Sequence, residues 1–334
     1  VVLGPHEAAL VDAPDLTPFQ NWVVVKVHAA PMCAEYKTFV AGNQTALMGH
    51  EAAGEVVAVA QPGRVKVGDR VVAMPLYGCG RCALCLSGDY IHCQQQPDFV
   101  TATGQTAGRS TMAQYILKQD WLLMPIPDAV SYEHGALACC SLGPSFGSMQ
   151  TMGVSAFDTI LITGLGPVGL GAIVNADFRG ARVIAAESVP WRVERARAMG
   201  VADVVDPRDE HVLARIMELT GGRGVDYALD CSGNVHAERL CVDATRRKGK
   251  VAFIGECQDE LKLRISPDLI RKGLTLIGTW HYNLHEYPRI VRVIQESPLI
   301  DQLISHVLPM SDIQAAFELS ASHATAKIIL QPWA

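Results

Sequence analysis

Residues 158–171 read DTILITGLGPVGLG, and this stretch decides how the second half of the chain is built. An apolar, β-branched run ends on a glycine and gives way to small residues. Gly164, Gly166 and Gly169 stand in the G-x-G-x-x-G spacing. That spacing allows a tight turn, close approach of backbone to a pyrophosphate, and helix–strand packing. On its own the motif is weak; its setting between a strand and a small-residue helix opening at Pro167 and Val168 raises it. The free N–H groups at such a helix start suit phosphates. A second apolar run, RVIAAE (182–187), ends on Glu187. A carboxylate there accepts the ribose hydroxyls of NAD and repels the extra phosphate of NADP. Arg192, five residues on, packs over the adenine or reaches a 2′-phosphate. The acid favours NAD.

Outward from this turn the pattern repeats. VERARAMG (193–200) reads as helix, and DYALDCSG (226–233), KVAFIGE (250–256) and LTLIGTW (274–280) read as strands with room for helices between them. Alternation of this kind predicts βαβ units and a parallel sheet. Residues 1–140 differ: WVVVKV (22–27), EVVAVA (55–60) and DRVVAM (69–74) are short runs divided by Gly, Pro and Asp, the texture of an all-β unit. YPRIVRVIQES then reads as helix, and the chain closes on a strand-like KIILQP.

At 334 residues the chain is long enough for about two domains. Apolar residues make up 49 % and charged residues 19 %, enough for a substantial core. A net charge of −6 gives no reason to expect nucleic acid or an anionic membrane as a partner. No apolar run approaches the ~18 residues of a membrane span, and no secretory pattern opens the chain. A soluble, cytoplasmic protein is the expectation. Its ten cysteines are then better read as metal ligands or buried thiols than as disulfides.

Four of them share one loop. CGRCALCLSGDYIHC sets Cys79, Cys82, Cys85 and Cys93 in a C-x2-C-x2-C-x7-C pattern. Four thiolates close a tetrahedral zinc site with no open position, which stabilises rather than reacts. Iron–sulfur spacing of the bacterial ferredoxin type has three residues and a following Pro at the last Cys, unlike the seven residues and Gln94 here. Scattered elsewhere are Cys33 in PMCAEYKTF (31–39), His50 and Glu51 in MGHEAAGEV (48–56), and Cys139 and Cys140 in ACCSLGPSFGS (138–148). Cys33, His50 and either Cys139 or Cys140 make a Cys2His set, which suits a zinc with an open fourth position.

Taken together, the Cys33 loop, GHEAAGEV, VKVGDRV (65–71), the four-cysteine loop, GLGPVG, DYALDCSG, KGLTLIGTW and the terminal AKIIL resemble the medium-chain zinc alcohol dehydrogenases over nearly the whole chain. The resemblance implies an α/β plus β fold: a GroES-like β catalytic domain with an inserted Rossmann domain, a doubly wound parallel sheet. The expected division is 1–142, with 143–282 inserted and 283–334 returning to complete the first domain. It further implies two zinc ions per chain, NAD, and hydride transfer between NAD and a secondary alcohol, polyol or sugar-like ketone. A homodimer or homotetramer is expected.

By the same resemblance Cys140, six residues before Phe146 and Gly147, is the third catalytic ligand beside Cys33 and His50. Glu51 stands behind the ligands or binds transiently, Cys139 packs as a thiol, Tyr77 and Trp280 border the substrate, and Lys327 offers a cation to the cofactor phosphates. Two positions depart from the family. Glu35 occupies a place usually held by Ser or Thr, and Thr38 one often held by His, so the proton relay is altered. The expectation is that Glu35 itself is the acid/base. An alternative makes the substrate an amino alcohol of the threonine or aminocyclitol type, with Glu35 on its ammonium. A third reading is a non-catalytic protein that binds NAD and zinc.

Overall fold

The computed structural model describes residues 1–334. Seven strands come first: β1 (Val2–Gly4), β2 (Glu7–Ala8), β3 (Trp22–Pro31), β4 (Ala52–Ala58), β5 (Arg70–Ala73), β6 (Tyr115–Gln119) and β7 (Leu123–Pro125). Six follow in the glycine-turn region: β8 (Thr159–Thr163), β9 (Arg182–Ala186), β10 (Asp203–Val205), β11 (Val225–Asp230), β12 (Thr245–Phe253) and β13 (Thr275–Gly278). The last two are β14 (Ile304–Pro309) and β15 (Lys327–Gln331).

The chain divides into two compact units. One holds Val1–Cys140, Asn283–Glu296 and Ile304–Ala334; the other holds Ser141–Tyr282 and Ser297–Leu303. The chain therefore returns to the first unit at Asn283, while Ser297–Leu303 goes back to the second before β14 begins.

In the first unit, strands lie in the order β14-β15-β3-β4-β5-β7, and β6 also pairs with β3. β3 is the hub because WVVVKVHAAP is β-branched and buried along almost its whole length. Val25, Val27 and Ala30 of β3 meet Val56 of β4, Ile328 and Leu330 of β15, and Phe39 and Phe317 in one apolar core. Two registers matter for chemistry. β3 and β4 are antiparallel with Ala29 opposite Ala53, so the chain running on to Cys33 lies beside the chain running back to His50. β15 is antiparallel to β3 with Ile329 opposite Pro31, which brings Lys327 alongside the same strand end.

In the second unit, six strands lie in the order β10-β9-β8-β11-β12-β13, and every pairing is parallel. Counted from β8, this is the 3-2-1-4-5-6 order of a dinucleotide-binding sheet, whose crevice opens at the carboxyl ends of the strands. Leu161, Ile184, Ala228 and Val251, one from each of four strands, form its core with Cys241 and Leu240 of helix Val235–Ala244. Across the whole chain no helix is long and apolar enough to cross a membrane.

Candidate metal and cofactor sites

The four-cysteine loop folds on itself. Cys79, Cys82, Cys85 and Cys93 bring their sulfurs within 4.8 Å of one another. The Cys79–Cys85 and Cys82–Cys93 pairs are each 3.9 Å apart. Zinc–sulfur bonds of about 2.3 Å in a tetrahedron would separate sulfurs by roughly 3.8 Å, so the loop already has the edge length the metal demands. Backbone N–H groups point inward: Cys82 donates to the Cys79 sulfur and Cys79 to the Cys93 sulfur, both at 3.3 Å. The N–H of Arg81, with that of Cys82, pulls the Cys79 thiol down to about 6, into the thiolate form that metals bind.

The second cluster is assembled from distant chain. Donor atoms of Cys33, His50, Glu51 and Cys140 also lie within 4.8 Å of one another, and His50 Nε2 is 3.2 Å from Cys140 Sγ. Glu35 sits across the ring. Its Oε1 is 2.8 Å from His50 Nδ1, and its Oε2 accepts the Cys33 N–H at 2.6 Å. With Nδ1 protonated against a carboxylate, Nε2 is the lone-pair nitrogen turned to the sulfurs, which is how ligating histidines are commonly oriented. A hydrogen bond from Cys140, together with Lys327 and His50, outweighs burial and holds the Cys33 thiol far below its usual range. Burial works against charge on the imidazole, but Cys33 and Glu35 overcome it and raise His50 to about 11. Both shifts express a surplus of negative charge, and two thiols with one imidazole are a zinc donor set. The residues fit the ion.

Behind the ligands lies a buried pair. Glu51 and Lys327 are both 0 % exposed, with Lys327 Nζ 2.5 Å from Glu51 Oε1. Lys327 also donates to the Met32 carbonyl at 3.0 Å, and Glu51 Oε2 accepts the Cys140 N–H at 3.0 Å. Burial opposes the ammonium, yet Cys33 and Glu51 keep it charged well above neutral pH. The expected cofactor role of Lys327 is therefore corrected. An ammonium with no exposed surface, spent on Glu51 and a carbonyl, cannot reach a phosphate, because β15's register against β3 directs it inward. Thr38 lies in helix Tyr36–Ala41, three residues on from Glu35. Glu35 is held beside the cluster, one oxygen on the Cys33 N–H and the other 2.8 Å from His50 Nδ1. Cys139 is fully buried and directs its thiol at the Ala73 carbonyl.

The glycine turn carries the other site. Gly164 has φ +77°, and a side chain there would strike Ser232; at Gly169 it would strike the Gly164 carbonyl. Gly166 is different: a Cβ would meet nothing nearer than the Arg192 guanidinium at 3.8 Å, so its absence leaves an open cradle. Helix Pro167–Phe178 begins there with Pro at its start, its N-terminal N–H groups free for an anion. Glu187 follows β9 and leans on the turn, accepting from Leu165 N–H at 2.7 Å. Its other oxygen accepts from Ser188 and Val189 N–H, and Arg192 Nη1 is 3.8 Å from the carboxylate. Gly164, Gly166, Pro167, Val168, Gly169, Glu187 and Arg192 are thus brought together around a shape and charge that fit a dinucleotide.

A residue that sequence reasoning missed faces the metal cluster's neighbourhood. A cavity of about 230 Å³ is lined by Glu35, His50, Tyr77, Arg109 and Lys118, among others. Tyr77 was expected here from the resemblance; Lys118 was not, although a lysine inside the apolar strand YILKQ is a signal that stands out.

Comparison with known proteins agrees with this architecture. A GroES-like alcohol dehydrogenase domain matches residues 20–128, and a zinc-binding dehydrogenase domain matches residues 167–296. Sorbitol dehydrogenase of Bacillus subtilis is 32 % identical over 328 residues, covering 93 % of this chain and 90 % of the relative. The zinc-type alcohol dehydrogenase-like protein YphC of Escherichia coli is 31 % identical over 331 residues, 94 % and 92 % of the two chains. The crystal structure of 2R,3R-butanediol dehydrogenase from Bacillus subtilis superimposes with a TM-score of 0.84 at 25 % identity, covering 98 % of this chain and 97 % of that one. The fold is that of a two-part dehydrogenase, GroES-like and Rossmann. The chain belongs to the zinc-containing medium-chain alcohol dehydrogenases, oxidoreductases acting on CH–OH groups.

Proposed function

We propose that the chain is a zinc- and NAD-dependent dehydrogenase of a polyol or other secondary alcohol. The observation that carries this reading is the meeting of Cys33, His50 and Cys140 at one point, three residues far apart in sequence. They would hold the catalytic ion, and the four-cysteine loop a structural one. When bound, zinc supplies a Lewis acid that acidifies a hydroxyl or polarises a carbonyl, and the nicotinamide supplies a two-electron acceptor. In the oxidative direction the carbinol C–H bond breaks with its electron pair, a C=O bond forms, and the hydroxyl proton leaves for solvent.

The chain's own residues prepare this step. Glu35 fixes the imidazole tautomer and the Cys33 backbone together. Burial pushes the Glu51 carboxyl up to about 7, and Lys327, paired with it, offsets part of that penalty, so that a proton-exchanging group stands behind the ligands. The open cradle at Gly166 and the start of helix Pro167–Phe178 receive the pyrophosphate. Glu187 accepts ribose hydroxyls and disfavours a 2′-phosphate. The alternative, an amino alcohol with its ammonium on Glu35, draws support from relatives named L-threonine 3-dehydrogenase, and ammonium-bearing and neutral substrates tested side by side separate the two.

The test combines metal analysis with an activity screen. Purified protein should contain zinc at both clusters and reduce NAD, in preference to NADP, with some member of a panel of alcohols and polyols. Zinc at the four-cysteine loop alone, with no turnover of any alcohol, would leave a non-catalytic scaffold instead.

A further inference from the structure

The chain contains two deeply buried lysines, and they are treated differently. Lys327 is wholly buried and paired with Glu51. Lys118 is 5 % exposed, yet no carboxylate pairs with it. Its Nζ donates to the Leu76 carbonyl and sits 4.5 Å above the centre of the Tyr77 ring. An ammonium carries three donors, so a carbonyl and a ring face leave it short of a counter-charge. Burial without an anion lowers its pKa to about 7. Buried charges in folded proteins are ordinarily paired; this one has a cavity beside it.

Arg109 lines the same cavity and is likewise free of any ion pair. Tyr77 ties the two cations together, its ring under Lys118 and its hydroxyl donating to the Arg109 carbonyl at 3.4 Å. Asp98, whose carboxyl feels the Arg109 charge without forming an ion pair with it, has one carboxylate oxygen occupied by the Thr101 N–H and hydroxyl. The only carboxylate lining the cavity is Glu35, already engaged by His50 and the Cys33 N–H. The charge left to act on a ligand is therefore positive. At about 230 Å³ the space is smaller than the roughly 300–1,000 Å³ typical of larger ligands, which suits a compact polyol.

We propose that Lys118 and Arg109 select a substrate bearing an oxyanion, a carboxylate or a phosphate ester, on the same carbon chain as the alcohol to be oxidised. This rests on the dehydrogenase reading and names its substrate class. Charge-assisted hydrogen bonds from a buried ammonium and a guanidinium fork would anchor the oxyanion, while the carbinol is presented to the His50 end of the cavity.

The test uses the zinc-loaded enzyme with NAD and three six-carbon probes: sorbitol, gluconate and sorbitol 6-phosphate. At least one anionic probe should exceed sorbitol about tenfold or more in kcat/KM; whether it is the carboxylate or the phosphate identifies the source of the oxyanion. Arg109→Gln should raise KM for that probe about tenfold to a hundredfold, collapsing the anionic-over-neutral preference, with a smaller change in kcat. Lys118→Met should do the same, and Lys118→Arg should restore part of the preference. If Lys118→Met fails to fold, the exposed Arg109 still decides the matter. Equal or better use of sorbitol, with a preference unmoved by Arg109→Gln, overturns the proposal and leaves the dehydrogenase reading intact. Should no probe be oxidised, calorimetry separates the two ideas: binding of an anionic probe that is weakened by Arg109→Gln upholds anion selection and sinks the dehydrogenase reading, whereas no binding sinks the proposal.

Discussion

The two cysteine clusters of this chain use similar donors in opposite ways. Cys79, Cys82, Cys85 and Cys93 belong to one short loop, with sulfurs set by tight turns and backbone N–H groups. Cys33, His50 and Cys140 are delivered by separate segments, and each leans on a further residue: Glu35 on Cys33 and His50, Glu51 on Cys140, Lys327 on Glu51. The first cluster needs only its own turn. The second needs the register of a sheet and a chain of buried charges. A closed set of four thiolates has no place for a substrate; a three-ligand set supported from behind does. On the function proposed above, local assembly serves stability and long-range assembly serves reactivity.

Substitutions should separate the two along those lines. The largest effect is expected for Cys140→Ser or Cys33→Ser, with turnover falling at least about a thousandfold because the open zinc site is lost. The fold and the zinc of the four-cysteine loop should survive, as metal analysis and circular dichroism would show. If either variant kept its activity, the division between the clusters would collapse. Cys93→Ser should behave in the reverse manner. Loss of the structural ion removes folding free energy, so thermal unfolding should shift down by several degrees or more, while remaining folded enzyme keeps its catalytic zinc.

Smaller effects sharpen the second cluster. Glu35→Gln leaves shape intact but weakens the partner of His50 Nδ1, and loss of such a carboxylate typically costs about 10–100-fold in metal affinity or activity. The measurement is zinc retention against a chelator alongside kcat. A lone acid/base role would instead leave zinc affinity unchanged and alter only the pH profile. The smallest effect concerns Lys118. Its folded pKa near 7 lies below the usual lysine value of 10.5, so the folded chain binds fewer protons between those values and stability rises with pH across that window. Lys118→Met should therefore be more stable than the parent chain, by on the order of 1–4 kcal/mol below pH ~7. The gap should close as pH approaches the unfolded pKa. A constant gap in Tm across this range would show that Lys118 keeps its proton in the folded chain as it does in the unfolded one, its pKa unshifted by burial.

Much of the molecule was open to reading from residues alone, because its strongest signals are local. The strand–glycine–helix turn with Glu187 after the next strand specifies a dinucleotide cradle through backbone sterics confined to a few positions, and the four-cysteine loop specifies its ligands through spacing. The family resemblance then supplied the grouping of Cys33, His50 and Cys140, which no local pattern contains. What remained closed was every role set by a side chain's partner. Glu35 could have moved a proton or met a cation. Only the antiparallel register of β3 and β4 puts it between Cys33 and His50. Lys327 heads a short strand and looks free in sequence, yet the pairing of β15 with β3 buries it against Glu51. Lys118 is one more lysine until the cavity beside it, and the missing carboxylate, are seen. The sequence by itself, with the family it resembles, determined the fold, the glycine turn and the four-cysteine loop, since the last two depend on short-range geometry and spacing. Only the tertiary structure decided where the buried charges find their partners, because a one-residue change of strand register would exchange the faces on which they lie.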